Sequence, residues 1–128
     1  MLATAAAGVA VWWWRRRPFR VTVGGASMEP TLRPGDFLVA VRSGLIKRGA
    51  LVVVEHPERP GFEMVKRVEG LPGEQVGDRI LEPDDYWVVG DRPDSSTDSR
   101  TFGPVGRPAI RGLVRLRYWP LSRLAAFR

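Results

Sequence analysis

The sequence predicts a mainly β protein: a compact, β-rich core of antiparallel strands behind a short helical N-terminal anchor. Three observations predict it. After Pro18, short runs rich in valine, leucine and aromatic residues are punctuated by Pro34-Gly35, Pro60-Gly61 and Pro72-Gly73. The longest run, Ile110 to Trp119, alternates with the period of two that a strand imposes. No amphipathic helical pattern of useful length follows residue 18. At 128 residues the chain is one domain with a short appendage, divided here into residues 1–18 and 19–128.

Residues 1–14 are apolar and uncharged, and end in Trp12-Trp13-Trp14 followed by Arg15-Arg16-Arg17. As a helix they reach about 21 Å, short of the roughly 30 Å hydrocarbon core of a bilayer. Tryptophan and arginine together suit a membrane-water boundary, so the segment reads as a short membrane anchor. A cleaved signal peptide, weaker because the charge follows the apolar run, and a helix packed on the domain or on a partner are the other readings. The arginine run favours keeping the following domain in the cytoplasm.

Six strands are expected: Phe19 to Val23, Phe37 to Arg42, Ala50 to His56, Glu63 to Glu69, Tyr86 to Val89 and Ile110 to Trp119. In the last, Ile110, Gly112, Val114, Leu116 and Tyr118 share one side, with Arg111, Arg115 and Arg117 on the other. Between the last two strands, Arg92 to Arg107 is rich in Ser, Asp, Thr and Pro and reads as a long functional or flexible loop.

Composition removes several chemistries. There is no cysteine, hence no disulfide, thiolate metal site or cysteine nucleophile. The single histidine, His56, precedes a proline and reads as an exposed turn residue, so neither a conventional triad nor a histidine metal site is expected. No cofactor or metal is expected. The net charge of +6 suits an anionic surface, and the scattered arginines favour membrane lipid over nucleic acid as the partner.

Of 20 basic residues, only Lys47 and Lys66 are lysines. Arginine cannot give up its proton in a protein, whereas a desolvated lysine can. Lys66 lies beside Met64, Val65 and Val68, in a stretch that reads as buried. Ser27 follows a strand and two glycines, and Pro30 disfavours helix just beyond it. Gly24 and Gly25 allow a second backbone to approach, as an extended peptide pairing edge to edge requires. A serine hydroxyl and a neutral amine make a nucleophile and base for peptide-bond hydrolysis. The stretch Gly90 to Arg100 offers Ser96 to aim the amine, with Asp98 and Arg100 as a bracing pair.

Four segments in order carry a resemblance: Ser27-Met28-Glu29-Pro30-Thr31; Arg48-Gly49-Ala50-Leu51-Val52-Val53; Val65-Lys66-Arg67-Val68-Glu69-Gly70-Leu71-Pro72-Gly73; and Gly90-Asp91 followed by Ser96-Thr97-Asp98-Ser99-Arg100. The chain resembles the signal peptidase I family of membrane serine proteases, in a minimal single-domain version. The resemblance implies Ser27 as nucleophile, Lys66 as general base, Ser96 as the hydroxyl that orients the lysine, Asp98 and Arg100 as support, and Met28 in the substrate pocket. It further implies removal of signal peptides from preproteins on the outer face of the cell membrane. Two positions depart from the family's pattern. Gly25 stands where some members carry a serine that assists the oxyanion, and Arg92 stands where an asparagine is usual. The short connection from Gly73 to Tyr86 leaves no room for the large inserted subdomain of some relatives. Three alternatives are a soluble or peripheral maturation protease with one dedicated partner, a self-cleaving repressor, and a non-enzymatic basic β-module. The repressors need a DNA-binding helical domain, for which residues 1–18 are too few. The basic module leaves the motifs unexplained.

Overall fold

Valine-rich runs bounded by glycine turns become antiparallel strands in the computed structural model, which describes residues 6–10, 17–42 and 44–128. The strands are β1 (Pro18–Thr22), β2 (Phe37–Val41), β3 (Leu51–Glu55), β4 (Glu63–Gly70), β5 (Gln75–Val76), β6 (Arg79–Ile80), β7 (Asp85–Val89), β8 (Val105–Gly106), β9 (Ile110–Trp119) and β10 (Ala125–Ala126). One sheet runs in the order β1-β2-β9-β3-β4-β7-β8, with β10 added to β9, and β5 and β6 form a separate hairpin. The fold is mainly β, as the sequence predicts. All six expected strands are present, within a residue or two of their expected ends.

The core lies on both faces of β3. Val52 and Val54 join one cluster with Val68, Val88 and Leu113. Leu51 and Val53 face the other way, into a cluster with Met28, Leu32, Leu38 and Val114. A strand buried on both sides needs no polar alternation, which is why β3 reads as an unbroken apolar run. Pairing between β3 and β4 sets Val52 opposite Lys66 and Val53 opposite Val65. Lys66 therefore shares a face with the first cluster, and Val65 with the second.

Three expectations are corrected. The alternation expected along β9 breaks at a bulge, because Leu38 and Val39 pair with Arg117 and Leu116 while Ala40 pairs with Val114. The extra residue, Arg115, reverses the facing of Leu116 and Arg117, and a second extra residue, Tyr118, restores it before Trp119. Arg117 thus shares the buried face of Leu38 and is only 8% exposed. There it meets the buried Asp36 carboxylate and donates through Nη1 to the Thr31 carbonyl at 2.7 Å. His56 is buried, not an exposed turn residue. Its ring lies 4.9 Å from that of Phe102, and Nδ1 accepts the Glu58 N–H. The stretch from Arg92 to Arg107 is not a loose loop. It holds a 3₁₀ turn at Pro93–Ser95, a helical turn at Ser99–Phe102 and the strand β8, and it buries Asp98, Ser99 and Val105.

Residues 6–10 are helical and exposed. The rest of the expected anchor, residues 1–5 and 11–16 with Trp12-Trp13-Trp14, Arg15 and Arg16, lies outside the described residues. Among the described residues no helix is long and apolar enough to cross a membrane.

Candidate active site

β1 pairs only with β2, and β4 pairs with β7 only from Arg67 onward. Among the described residues, the second edge of β1 and the edge of β4 from Glu63 to Lys66 therefore carry no strand. The two bare edges border one groove of about 760 Å³. Ser27, Gly25, Met28 and Lys66 all line it.

Ser27 enters in the turn directly after β1. That turn is closed by Glu29 N–H donating to Ala26 O at 3.1 Å and Leu32 N–H donating to Met28 O at 2.8 Å. Met28 and Leu32 anchor it, being 1% and 0% exposed in the second core cluster. Met28 is thus a core residue that also floors the groove. Gly24 and Gly25 are exposed, and a Cβ built on either meets no atom within 4 Å. The groove is open beside them.

Lys66 is 2% exposed. Burial pushes its amine below the ordinary lysine range; the Asp98 charge partly opposes this and Arg100 adds to it. Nζ lies 3.1 Å from Ser96 Oγ, and Ser96 Oγ lies 2.6 Å from Asp98 Oδ2. Asp98 is fully buried, yet its carboxyl is held well below the usual carboxylate range. Burial opposes ionisation, and hydrogen bonds from Arg100, Ser96 and the Gly90 N–H outweigh it. An ionised carboxylate only accepts. The one Ser96 proton therefore goes to Asp98, and Ser96 Oγ is left to accept from Lys66. Asp98 also caps the Ser99–Phe102 turn by accepting the Arg100 N–H.

The structure thus brings together the sequence-expected residues: Ser27, Lys66, Gly25 and Met28 on one groove, and Ser96, Asp98 and Arg100 in one hydrogen-bonded chain ending on Lys66. The sequence reading assigned no part to a second set of residues. Asp91 receives Arg67 Nε and Nη2, both at 2.8 Å, and the Thr31 hydroxyl at 2.6 Å. One carboxylate so ties the serine motif, the lysine motif and the Gly90-Asp91 motif together. The signal was a polar residue of unassigned purpose inside each motif. Arg92 donates its N–H to Ser27 O at 2.8 Å and pairs through Nη1 with Glu29 at 2.8 Å, clasping the Ser27 turn from both ends. Gly90 cannot be replaced cheaply, because a Cβ there lies 2.2 Å from Ser96 Oγ and 2.7 Å from Ser27 O. Among the described residues no cluster of His, Asp and Glu is placed to hold a metal ion.

Comparison with known proteins gives the chain's family. The chain matches the family described as signal peptidase, peptidase S26, over residues 1–81 and 77–119. It is 38% identical over 116 residues to mitochondrial inner membrane protease subunit 1 of Xenopus tropicalis, covering 80% of this chain and 70% of the relative. It is 38% identical over 123 residues to mitochondrial ATP-independent inner membrane protease subunit 1a of Arabidopsis thaliana, covering 83% and 73%. Against mitochondrial inner membrane protease subunit 2 of Danio rerio it is 32% identical over 124 residues, covering 84% and 68%. A β-core with such a groove and these relatives defines a protease. The chain belongs to the signal peptidase family, peptidase S26.

Proposed function

We propose that this protein is a serine endopeptidase that removes signal or leader peptides from preproteins, with Ser27 as nucleophile and Lys66 as general base. The observation that carries the reading is the buried Lys66 amine, aimed by Ser96 and lining the same groove as Ser27. A neutral amine that donates one proton to Ser96 keeps its lone pair for another partner. Ser27 Oγ attacks the scissile carbonyl carbon as its proton passes to Lys66 Nζ. Lys66 returns that proton to the departing amine, leaving an ester on Ser27. A water then gives its proton to Lys66 and attacks the ester carbonyl; the bond from the acyl carbon to Ser27 Oγ breaks, Lys66 returns the proton to Ser27 Oγ, and the new carboxyl end is released. The Ser27 N–H serves as the oxyanion donor, and Gly25 offers no hydroxyl as a second. Asp98 and Arg100 act through Ser96 and make no contact with substrate.

The bare edges of β1 and β4 suit an extended peptide laid between them, paired backbone to backbone. The relatives are named as inner membrane proteases, and residues 1–18 serve here as the membrane anchor, with the catalytic domain on the outer face. The test is cleavage of a signal-bearing preprotein by the full chain in detergent. Wild type is expected to release the mature chain. Ser27→Ala and Lys66→Arg are expected to release none while remaining folded, since arginine keeps the charge but supplies no free base. Retention in the membrane pellet after alkaline wash tests the anchor, and protease protection in sealed vesicles tests the facing.

A further inference from the structure

The loop that carries Ser27 begins after Val23 and ends before Asp36. Its ends are tied together, with Val23 N–H donating to Asp36 O at 2.9 Å and Gly35 N–H to Val23 O at 2.8 Å. Inside the loop, the Thr31 carbonyl accepts from no backbone N–H among the described residues. Two arginines satisfy it instead, Arg117 Nη1 at 2.7 Å and Arg123 Nη2 at 3.5 Å. Both also reach Asp36, which is 2% exposed. Arg123 Nη1 lies 2.8 and 3.0 Å from its two carboxylate oxygens, and Arg117 Nη1 lies 3.5 Å from one of them. Asp36 Oδ2 in turn accepts the Arg33 N–H at 2.9 Å.

The two arginines arrive by different routes. Arg117 lies on β9, turned inward by the bulge. Arg123 ends a 3₁₀ turn, Leu121–Arg123, in the segment after β9. That segment runs back along β9, setting Ala125 opposite Arg117, and Phe127 packs against the second core cluster. Leu121 and Leu124 are 70% and 61% exposed, so the turn itself adds little to the core. What it delivers inward is the Arg123 guanidinium, together with the Arg123 carbonyl that accepts from Arg117 Nε. On its other side Thr31 donates its hydroxyl to Asp91, which holds Arg67, the chain neighbour of Lys66. The loop of Ser27 is thus gripped at Thr31 from two directions, by the strand of the lysine and by the segment after β9.

We propose that Arg123, seconded by Arg117, is a positioning residue for the nucleophile: it holds Thr31 and Asp36, and through them sets where Ser27 stands relative to Lys66. Arg123 does not line the groove. The inference rests on the proposed function, in which Ser27 is the nucleophile. A misplacement of about 1 Å at a reacting group costs on the order of 100-fold. With Arg117 still in place, loss of Arg123 costs less.

The experiment compares wild type, Arg123→Gln, Arg123→Lys and Ser27→Ala as full chains in detergent. Cleavage of a signal-bearing preprotein gives kcat and KM from neutral to alkaline pH. Hydrogen exchange gives the protection of the Leu32 N–H, which donates to Met28 O in the turn beside Ser27, with Val53 in β3 as reference. Arg123→Gln is expected to lower kcat by about tenfold and leave KM within about twofold. It is expected to keep the pH midpoint of the rate, since the surroundings of Lys66 are untouched, and to speed exchange at Leu32 but not at Val53. Arg123→Lys is expected to recover most of kcat, because one nitrogen, Nη1, makes both contacts to Asp36 and an ammonium can take its place. A folded Arg123→Gln with wild-type kcat overturns the inference, as does a loss confined to KM, a moved pH midpoint, or a lysine variant no better than glutamine. Exchange that quickens at Val53 as much as at Leu32, or a glutamine variant that does not fold, also overturns it, by assigning Arg123 to the fold as a whole. In all these cases an active wild type and an inert Ser27→Ala leave the proposed function standing. An inert wild type or a cleaving Ser27→Ala overturns that function and the inference with it.

Discussion

Lys66 Nζ lies 3.1 Å from Ser96 Oγ, and the direction of that hydrogen bond is fixed by the carboxylate behind it. Because Asp98 takes the Ser96 proton, the serine accepts from the amine and does not compete for its lone pair. On the proposed mechanism the hydroxyl acts as an aiming device, which sets its worth. Ser96→Ala is expected to lower kcat by about 10- to 100-fold and leave KM nearly unchanged, a smaller loss than removal of the nucleophile or base. Steady-state kinetics on a preprotein or peptide substrate checks this, and a change confined to KM contradicts it.

The burial that prepares Lys66 works against stability. Its folded pKa lies below its unfolded value, so between the two the unfolded chain binds the extra proton. Stability therefore rises with pH across that window, and the penalty is fully present below the folded pKa. Lys66→Met removes the penalty at similar volume. It is expected to raise the denaturation midpoint at neutral pH, to lose that advantage near pH 10, and to be inactive. With Lys66 as the proposed base, the same titration governs rate, so cleavage by wild type is expected to increase from neutral into alkaline pH. A flat rate profile contradicts the assignment.

The strands were legible because their apolar runs are bounded by turns carrying proline or glycine. β3 and β9 read clearly for opposite reasons, one buried on both faces and the other alternating. The bulge at Arg115 was not legible, because a register shift depends on the partner strand. For the same reason Arg117 read as surface charge; its ion pair with Asp36 joins residues far apart in the chain. β5, β6, β8 and β10 are two residues each, too short for any period to show. His56 misled because a histidine before proline is ordinarily a turn residue, whereas here Phe102 folds over it from the far side of the chain. The serine, the lysine and the Ser96–Arg100 stretch were legible as motifs. The Thr31–Asp91–Arg67 knot was not, since ion pairs leave no spacing rule in a sequence.

Asp98 supports the site from inside the core. Its pKa is depressed on folding, so it contributes stability that is present above the usual carboxylate range and lost as pH falls below about 4. Asp98→Asn keeps the shape but forfeits the charge that holds Arg100 Nε and Nη2. It is expected to cost about 2–4 kcal/mol in chemical denaturation at neutral pH. It is also expected to flatten the acid limb of the stability curve. Unchanged stability contradicts the bracing role.

Gly25 is a place where activity can be gained. A side chain there has open space and no unusual backbone angle to resist it. On the proposed mechanism, in which the Ser27 N–H serves the oxyanion, Gly25→Ser adds a hydroxyl on the same groove as a candidate second donor. It is expected to raise kcat several-fold, below the roughly 100-fold or greater effect of an established oxyanion donor. Comparison with Gly25→Ala separates the hydroxyl from the added bulk. Equal activities for the two variants contradict the prediction.

The central claim concerns the protonation of one amine, and the chain is suited to a direct reading because it has two lysines. In a Lys47→Arg background labelled with ¹⁵N-lysine, the side-chain signal followed through a pH titration belongs to Lys66 alone. The account predicts a midpoint well below the ordinary lysine value of about 10.4. A midpoint at that ordinary value, in a folded and active protein, contradicts it.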